Sequence, residues 1–187
     1  MDFSLIILAG GSSSRMGTDK GLMLFNGIPM IEHITNHFKT KFKEIIIVSN
    51  NMNYAPYCSK LITDNFKNIG PIGGIEAGIS ASYFEKNIIL SCDNPLVQWD
   101  LIEYIIAHHL KNEIIFSHYN STHPFPGFYH SSIRPKLIKQ INNGLRKLTS
   151  LETHFDVLKL DCSNFNENYF INFNSPDDIT LFYENNT

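Results

Sequence analysis

The fold is decided by one stretch near the start of the chain, Leu8-Ala9-Gly10-Gly11-Ser12-Ser13-Ser14-Arg15-Met16-Gly17-Thr18-Asp19-Lys20. Its paired glycines permit backbone angles closed to other residues and let main-chain N–H groups approach an anion. Arg15 can bind phosphate oxygens through its forked guanidinium, and Lys20 adds a mobile point charge. The stretch follows an apolar run, and an α/β sheet binds its ligands at the carboxyl ends of such strands. It therefore predicts a loop that binds a chain of phosphates, such as a triphosphate.

Two familiar phosphate-binding motifs do not match this stretch. Walker A needs a lysine and a hydroxyl residue directly after its second glycine, whereas Gly17 is followed by Thr18 and Asp19. The dinucleotide fingerprint G-x-G-x-x-G is absent as well. The alternative interpretation is an ordinary loop rich in glycine and serine. The two cations, Arg15 and Lys20, favour phosphate binding over that alternative.

Outward from this stretch, apolar runs alternate with helical patterns. The apolar runs contain many β-branched residues and little polar alternation, which is typical of parallel strands buried on both faces. They are Phe3–Leu8, Glu44–Val48, Lys60–Thr63, Ile88–Cys92 and Glu113–Ser117. Helical patterns follow Pro29 and cover Gly74–Phe84 and Leu101–Leu110. This order predicts an α/β fold: a Rossmann-like, open, mostly parallel sheet with helices on both faces, in a single domain over residues 1–187.

The pattern loosens after residue 117. His123-Pro124-Phe125-Pro126-Gly127 predicts a rigid loop, and a further helix is predicted from Ile133 to Ile141. Phe155–Leu160 and Tyr169–Phe173 predict later strands that join the sheet antiparallel. The last helix is predicted to begin at Ser175-Pro176-Asp177-Asp178, which offers a cap, a proline at the first position and acids at the positive end of the helix dipole.

Composition excludes several classes of protein. The 187 residues include 15 basic and 18 acidic side chains, a net charge of -3, so the chain lacks the basic field of a general nucleic-acid binder. The three cysteines form no C-x-x-C pair, which disfavours a zinc ribbon or a thioredoxin-type site. No run approaches the roughly 18 apolar residues of a membrane span. We expect a cytoplasmic protein without a membrane or nucleic-acid partner.

The segment Leu8–Lys20 resembles the signature of nucleotidyltransferases that join a nucleoside triphosphate to a phosphorylated acceptor. Gly27–His33, Gly70–Gly74, Cys92–Pro95 and Asn172–Asp178 extend the resemblance, and nearly the whole chain resembles the molybdenum cofactor guanylyltransferase family. The resemblance implies a fold like that of the nucleotide-diphospho-sugar transferases. It also implies transfer of GMP from GTP to the terminal phosphate of molybdopterin, with Mg²⁺ as cofactor and molybdopterin guanine dinucleotide and pyrophosphate as products. Cofactor-inserting chaperones or molybdoenzymes are the implied transient partners.

The same resemblance, together with the charges of the side chains, assigns the site residues. Arg15, Lys20 and Asp93 are the expected catalytic residues, and Asp93 is the expected metal ligand. Nucleotide binding is assigned to Leu8, Ala9, Gly10, Gly11, Lys20, Asp64 and Asp93. Asn172 and Asn174 are placed near the pterin, and His123, Pro124 and Gly127 along the same acceptor region. A capping role for Asp93 and a solvated turn for Asp64 are the alternatives. For Asn172 and Asn174 the alternative is a strand end that leads into a capped helix.

Two other functions remain open from sequence. The first is a related cytidylyltransferase or sugar-phosphate nucleotidyltransferase, although Gly10, at a position where related cytidylyltransferases tend to have alanine, favours guanine by resemblance. The family often has a polar residue on this strand, and this chain has Val48 at that position. Whether Val48 or Asn50 contacts the base is therefore left open. The second is a non-catalytic nucleotide-binding adaptor for cofactor insertion, which has less need of a metal-binding carboxylate at Asp93.

Overall fold

Nine strands and five α-helices occur in the part of the chain that the computed structural model describes, residues 2–10, 19–66 and 69–186. The strands are β1 (Ser4–Leu8), β2 (Leu24–Phe25), β3 (Ile28–Pro29), β4 (Glu44–Val48), β5 (Lys60–Ile62), β6 (Lys86–Ser91), β7 (Ile114–Tyr119), β8 (Ser121–His130) and β9 (Val157–Asp161). The helices are α1 (Met30–Phe38), α2 (Pro71–Ala81), α3 (Trp99–Ala107), α4 (Arg134–Asn142) and α5 (Pro176–Asn185).

Seven of these strands form one sheet in the order β5-β4-β1-β6-β8-β7-β9. β1 pairs parallel with both β4 and β6, β4 pairs parallel with β5, and β7 with β9. Only β8 runs antiparallel to its neighbours, β6 and β7. The predicted open, mostly parallel sheet is confirmed. Because β1, β4 and β6 are parallel, their carboxyl ends meet at one edge, where such sheets bind ligands.

Helices cover both faces of the sheet, as predicted. Leu5 and Ile7 point to the face covered by α1 and α3, and Ile6 and Leu8 point to the face covered by α2 and α4. All four side chains are buried. Burial on both faces explains why the strand sequences lack polar alternation.

Three predicted elements differ in the structure. His123–Gly127 is not a loop but part of β8, whose pairing with β7 passes from His123 directly to Gly127 across a register shift. The shift accommodates two prolines, which cannot donate to a ladder. β9 is parallel to β7 rather than antiparallel. Tyr169–Phe173 forms no strand, since a 3₁₀ turn over Glu167–Phe170 precedes irregular chain.

The last helix packs against an early hairpin. Ser175 caps α5 in a capping box with Asp178, which confirms the predicted start of the helix. Phe173 and Ile179 bury themselves against Met23, Phe25 and Met30 of the β2–β3 region, in a core separate from those that cover the sheet. The end of the described chain is thereby held beside residues 20–30.

Within the described ranges, no helix is both long and apolar enough to span a bilayer.

Candidate active site

Three polar side chains from distant segments meet at the carboxyl edge of the sheet. Lys20 begins a short 3₁₀ turn, Asp93 lies just after β6, and Asn174 precedes α5. The Lys20 Nζ atom lies 3.6 Å from Asp93 Oδ2 and donates to Asn174 Oδ1 at 2.5 Å. The Lys20 ammonium therefore lies between Asp93, which is predicted to bind the nucleotide, and Asn174, which is predicted to bind the acceptor.

Asp93 carries a buried oxygen that the described residues leave without a hydrogen bond. The residue is 9% exposed, and its Oδ1 atom has no partner among them. Its main-chain oxygen accepts a bond from Phe173 N at 2.8 Å, which ties Asp93 to the segment that carries Asn174. Burying a polar atom without a partner costs free energy, so such an atom calls for a specific explanation.

The donor set around Asp93 fits a magnesium ion that binds together with phosphates. Among residues 2–10, 19–66 and 69–186, no group of three or more His, Cys, Asp or Glu side chains could hold a metal. Magnesium, however, usually binds one or two carboxylates and completes its shell with substrate phosphates and water. Oδ1 of Asp93, which has no partner among the described residues, can supply one such carboxylate ligand. The described side chains around it are too few to bind a metal without substrate phosphates and water.

Asn174 is held in place by the start of α5. Asp178 Oδ2 accepts from the main-chain N–H of Asn174 at 2.7 Å and from that of Ser175 at 3.0 Å. These bonds, that of Asn174 first, lower the pKa of Asp178. Asn174 Nδ2 also reaches the main-chain oxygen of Asn172 at 3.4 Å. Of the two predicted pterin contacts, the structure thus brings Asn174 to Lys20, whereas Asn172 lies two residues earlier in irregular chain.

The chain beyond β1 lies between the ends of its two parallel neighbours. Ala9 N donates to Val48 O at 3.0 Å, and the main-chain oxygen of Leu8 accepts from Cys92 N at 3.1 Å. Gly10 is exposed at this edge. Leu8, Ala9 and Gly10 therefore lie where the sequence predicts nucleotide contacts. The predicted contacts at Gly11 and Arg15 lie outside the described residues.

Asp64 approaches the same edge from β5. A Cβ atom added to Gly74 would lie 3.5 Å from Asp64 Oδ1 and 3.1 Å from Leu8 Cδ2, so the three residues converge. Gly70 begins α2 with a φ of 74°, which side chains rarely adopt, and Pro71 follows at the first helical position. Burial raises the pKa of Asp64, and the nearby Glu76 carboxylate raises it further. The half-buried carboxyl is not the freely solvated turn residue of the alternative interpretation.

His123, Pro124 and Gly127 all lie on β8 but differ in burial. The ring of His123 lies 5.1 Å from that of Phe170, and both His123 and Pro124 are half-buried. Gly127 is buried inside β8, where it pairs with Ile89 and Phe116. The backbone of Gly127 is paired within the sheet, and its acceptor contact stays a prediction.

Two polar clusters beside the site escaped the sequence interpretation. Glu76 accepts from Arg134 Nε at 2.8 Å and from Asn65 Nδ2 at 3.0 Å. Glu76 is the single charged residue of the apolar helix α2, and that pattern is a signal for a buried pair. The second cluster joins Asp19 to Asn51 and Tyr54. Asp19 is more than 30 residues before Asn51 and Tyr54, so no local spacing indicates these contacts.

A model of a known family matches most of the chain. The family model described as "MobA-like NTP transferase domain" matches residues 5–157. The chain belongs to the MobA-like NTP transferase family. The resemblance stated from sequence is thereby confirmed.

Relatives of this family are similar along almost the whole chain. A protein of Flavobacterium johnsoniae named "Probable molybdenum cofactor guanylyltransferase" is 36% identical over 180 residues, which cover 92% of each chain. The "Molybdenum cofactor guanylyltransferase" of Vibrio parahaemolyticus is 33% identical over 184 residues, covering 96% of this chain and 94% of the relative.

Solved structures share the fold. "Molybdopterin-guanine dinucleotide biosynthesis protein A" from Archaeoglobus fulgidus superposes with a TM-score of 0.81 at 22% identity, covering 97% of both chains. "2-C-methyl-D-erythritol 4-phosphate cytidylyltransferase" from Thermus thermophilus gives a TM-score of 0.74 at 11% identity, again over 97% of both chains. The fold is thus that of the nucleotide-diphospho-sugar transferases, as predicted for members of the MobA-like family.

Proposed function

We propose that this chain transfers GMP from GTP to the terminal phosphate of molybdopterin, giving molybdopterin guanine dinucleotide and pyrophosphate. The observation that carries the proposal is the position of Lys20 Nζ, 3.6 Å from Asp93 Oδ2 and 2.5 Å from Asn174 Oδ1. A single cation there can contact a nucleotide phosphate and an acceptor phosphate together. The names of the relatives, molybdenum cofactor guanylyltransferases, support this choice of nucleotide and acceptor.

The reaction needs alignment and charge stabilisation more than proton transfer. An oxygen of the acceptor phosphate attacks the α-phosphorus of GTP, a new P–O bond forms, and the bond from the α-phosphorus to the bridging oxygen breaks. The bond electrons leave with pyrophosphate. Because the acceptor oxygen is already anionic, no general base is required, and catalysis depends on orientation and preorganised charge.

Each residue has a role in this proposal. Gly10, Gly11 and Arg15 bind the triphosphate, and Lys20 stabilises the charge that develops on the α-phosphate and pyrophosphate. Asp93 would hold a magnesium ion, which, when bound, neutralises charge on the triphosphate. Leu8, Ala9 and Asp64 belong to the nucleotide side; Asn172 and Asn174 belong to the pterin side. Transfer of the product to chaperones or molybdoenzymes in the cytoplasm completes the proposal.

Nucleotide preference is the first test. With magnesium present, GTP is expected to raise the melting temperature more than CTP, ATP or UTP. At a hundredfold excess over the dissociation constant, binding stabilises the native state by about 2.7 kcal/mol. A larger shift with CTP, together with transfer of CMP, would indicate a cytidylyltransferase instead. GTP binding without pyrophosphate release in the presence of molybdopterin would indicate a non-catalytic adaptor.

Replacement of Lys20 tests the chemistry directly. Lys20→Ala removes a charge-assisted contact worth roughly 1.5–3 kcal/mol, so turnover is expected to fall about tenfold or more. Lys139→Ala, on an exposed position of α4, is the matched control and should retain full turnover. Wild-type turnover in Lys20→Ala would remove Lys20 from the mechanism.

A further inference from the structure

The residue before Lys20 is fixed by two donors from another segment. Asp19 Oδ1 accepts from the hydroxyl of Tyr54, and Asp19 Oδ2 accepts from Asn51 Nδ2 at 2.9 Å. Both donors belong to the short 3₁₀ segment that follows β4, where Asn51 also caps the turn by accepting from Asn53 N at 3.0 Å. The carboxylate of Asp19 is therefore satisfied on both oxygens by this segment.

Tyr54 is suited to a permanent donor role. Its side chain is fully buried, at 0% exposure. Burial raises the pKa of Tyr54 well above its usual range, and the neighbouring Cys92 and Asp19 raise it further. The hydroxyl therefore keeps its proton at physiological pH and donates it to Asp19.

The residue after Lys20 also packs against Tyr54. A Cβ atom added to Gly21 would lie 2.5 Å from the Tyr54 oxygen and 3.0 Å from Cys92 Cβ, which is too close for any side chain. Two main-chain hydrogen bonds form the turn around Lys20. Leu22 N donates to Asp19 O and Met23 N donates to Lys20 O, both at 3.0 Å. The Tyr54 hydroxyl thus contacts the side chain of Asp19 before Lys20 and lies close to Gly21 after it.

We propose that Tyr54 is a positioning residue that acts through Lys20. By binding Asp19 and fitting against Gly21, its hydroxyl fixes the turn from which Lys20 reaches Asp93 and Asn174. The inference rests on the proposed function for its effect on activity, but not for its effect on the turn. The ring fills the core, so replacement by phenylalanine removes only the hydroxyl and separates positioning from packing.

A double-mutant cycle measures this coupling. Tyr54→Phe is expected to lower kcat for guanylyl transfer about tenfold, with a smaller change in KM for GTP, because one hydrogen bond to a charged group is lost. In the Lys20→Ala background, the same change is expected to cost less than twofold. Tyr57→Phe, half-buried on the same 3₁₀ segment, is the matched control and should match wild type. A full tenfold loss from Tyr54→Phe in the Lys20→Ala background would overturn the inference.

A second measurement does not depend on activity. Amide hydrogen exchange at Leu22 and Met23 is expected to become about tenfold faster in Tyr54→Phe, while exchange in β1 stays unchanged. Asn51→Ser keeps a capping oxygen but loses the donor to Asp19, and should show the same pattern. Unchanged exchange at Leu22 and Met23 in both variants would overturn the inference even if the enzyme transfers GMP. Faster exchange in a protein that transfers no GMP would support the inference and contradict only the proposed function.

Discussion

Glu76 and Asp93 are two buried carboxylates with opposite surroundings. Glu76 is 1% exposed, and its two oxygens accept from Arg134 Nε at 2.8 Å and Asn65 Nδ2 at 3.0 Å. Asp93 is 9% exposed, yet its Oδ1 has no partner among the described residues and its Oδ2 lies 3.6 Å from Lys20 Nζ. A buried charge is costly unless it is paired. The described residues supply a partner for each oxygen of Glu76, whereas they leave Oδ1 of Asp93 without one.

The largest expected effect comes from the incompletely paired acid. Asp93→Asn is expected to lower kcat/KM for guanylyl transfer about a hundredfold, equivalent to about 2.7 kcal/mol, and to weaken the response to added magnesium. The free energy of unfolding should not fall, because a buried charge without full compensation is replaced by a neutral amide. Steady-state kinetics and urea unfolding measure the two effects.

The surface pair of Asp2 and Lys43 offers a control for that experiment. Asp2 Oδ1 lies 3.2 Å from Lys43 Nζ, and both side chains are mostly exposed. Asp2→Asn should change neither activity nor stability, since exposed pairs contribute little. An unaltered magnesium response in Asp93→Asn would mean that the metal binds elsewhere and that Asp93 and Glu76 differ only in packing.

The fully paired acid should show the reverse pattern, in stability rather than activity. Arg134→Gln leaves the buried Glu76 charge without its cation and is expected to lower the free energy of unfolding by about 2 kcal/mol. Glu76→Gln leaves Arg134, whose side chain is 41% exposed, able to bind water, so it should cost only about 1 kcal/mol. Turnover per folded molecule should stay within about twofold in both. Equal losses from the two variants would contradict the asymmetry.

The smallest effect is expected at Asp64, a half-buried acid close to Glu76. Because burial and Glu76 raise its pKa, the folded state binds the Asp64 proton more tightly than the unfolded state does. Stability therefore falls as pH rises from the unfolded pKa through the raised folded pKa, and then stays level. Asp64→Asn is expected to melt slightly higher than wild type at pH 7, with the difference vanishing below about pH 3. A difference that grows on acidification would show the opposite shift.

Local patterns in the sequence were sufficient for most of the fold. Apolar runs gave the parallel strands, and Ser175-Pro176-Asp177-Asp178 gave the start of α5, because capping and dipole effects act within one turn. The segment His123–Gly127 was predicted wrongly, because its prolines suggested a loop while the register shift in β7 lets β8 continue past them. The conformation of that segment depends on its pairing with β7, which the local sequence does not indicate.

The candidate site divides in the same way. Lys20, Asp93 and Asn174 could be selected from motifs, and the structure brings them within contact distance. Two polar contacts beside the site were not predicted, since Tyr54 meets Asp19 across 35 positions and Arg134 meets Glu76 across 58. Those contacts depend on the order of the strands in the sheet, which cannot be predicted from local patterns in one sequence.

The packing of α5 against the early hairpin has a consequence for how the enzyme is made. Lys20 is synthesised before strands β2 to β9, whereas Asn174 and its anchor Asp178 are synthesised after them. Domains generally fold as units during translation, with their first-made parts available first. A copy without α5 would keep every buried residue of the two cores that cover the sheet but would lose Ile179 and Phe182 from the third. Such a copy would keep Asn174 but lose the Asp178 carboxylate that holds its main-chain N–H, so the contact between Asn174 and Lys20 would form only once α5 is in place.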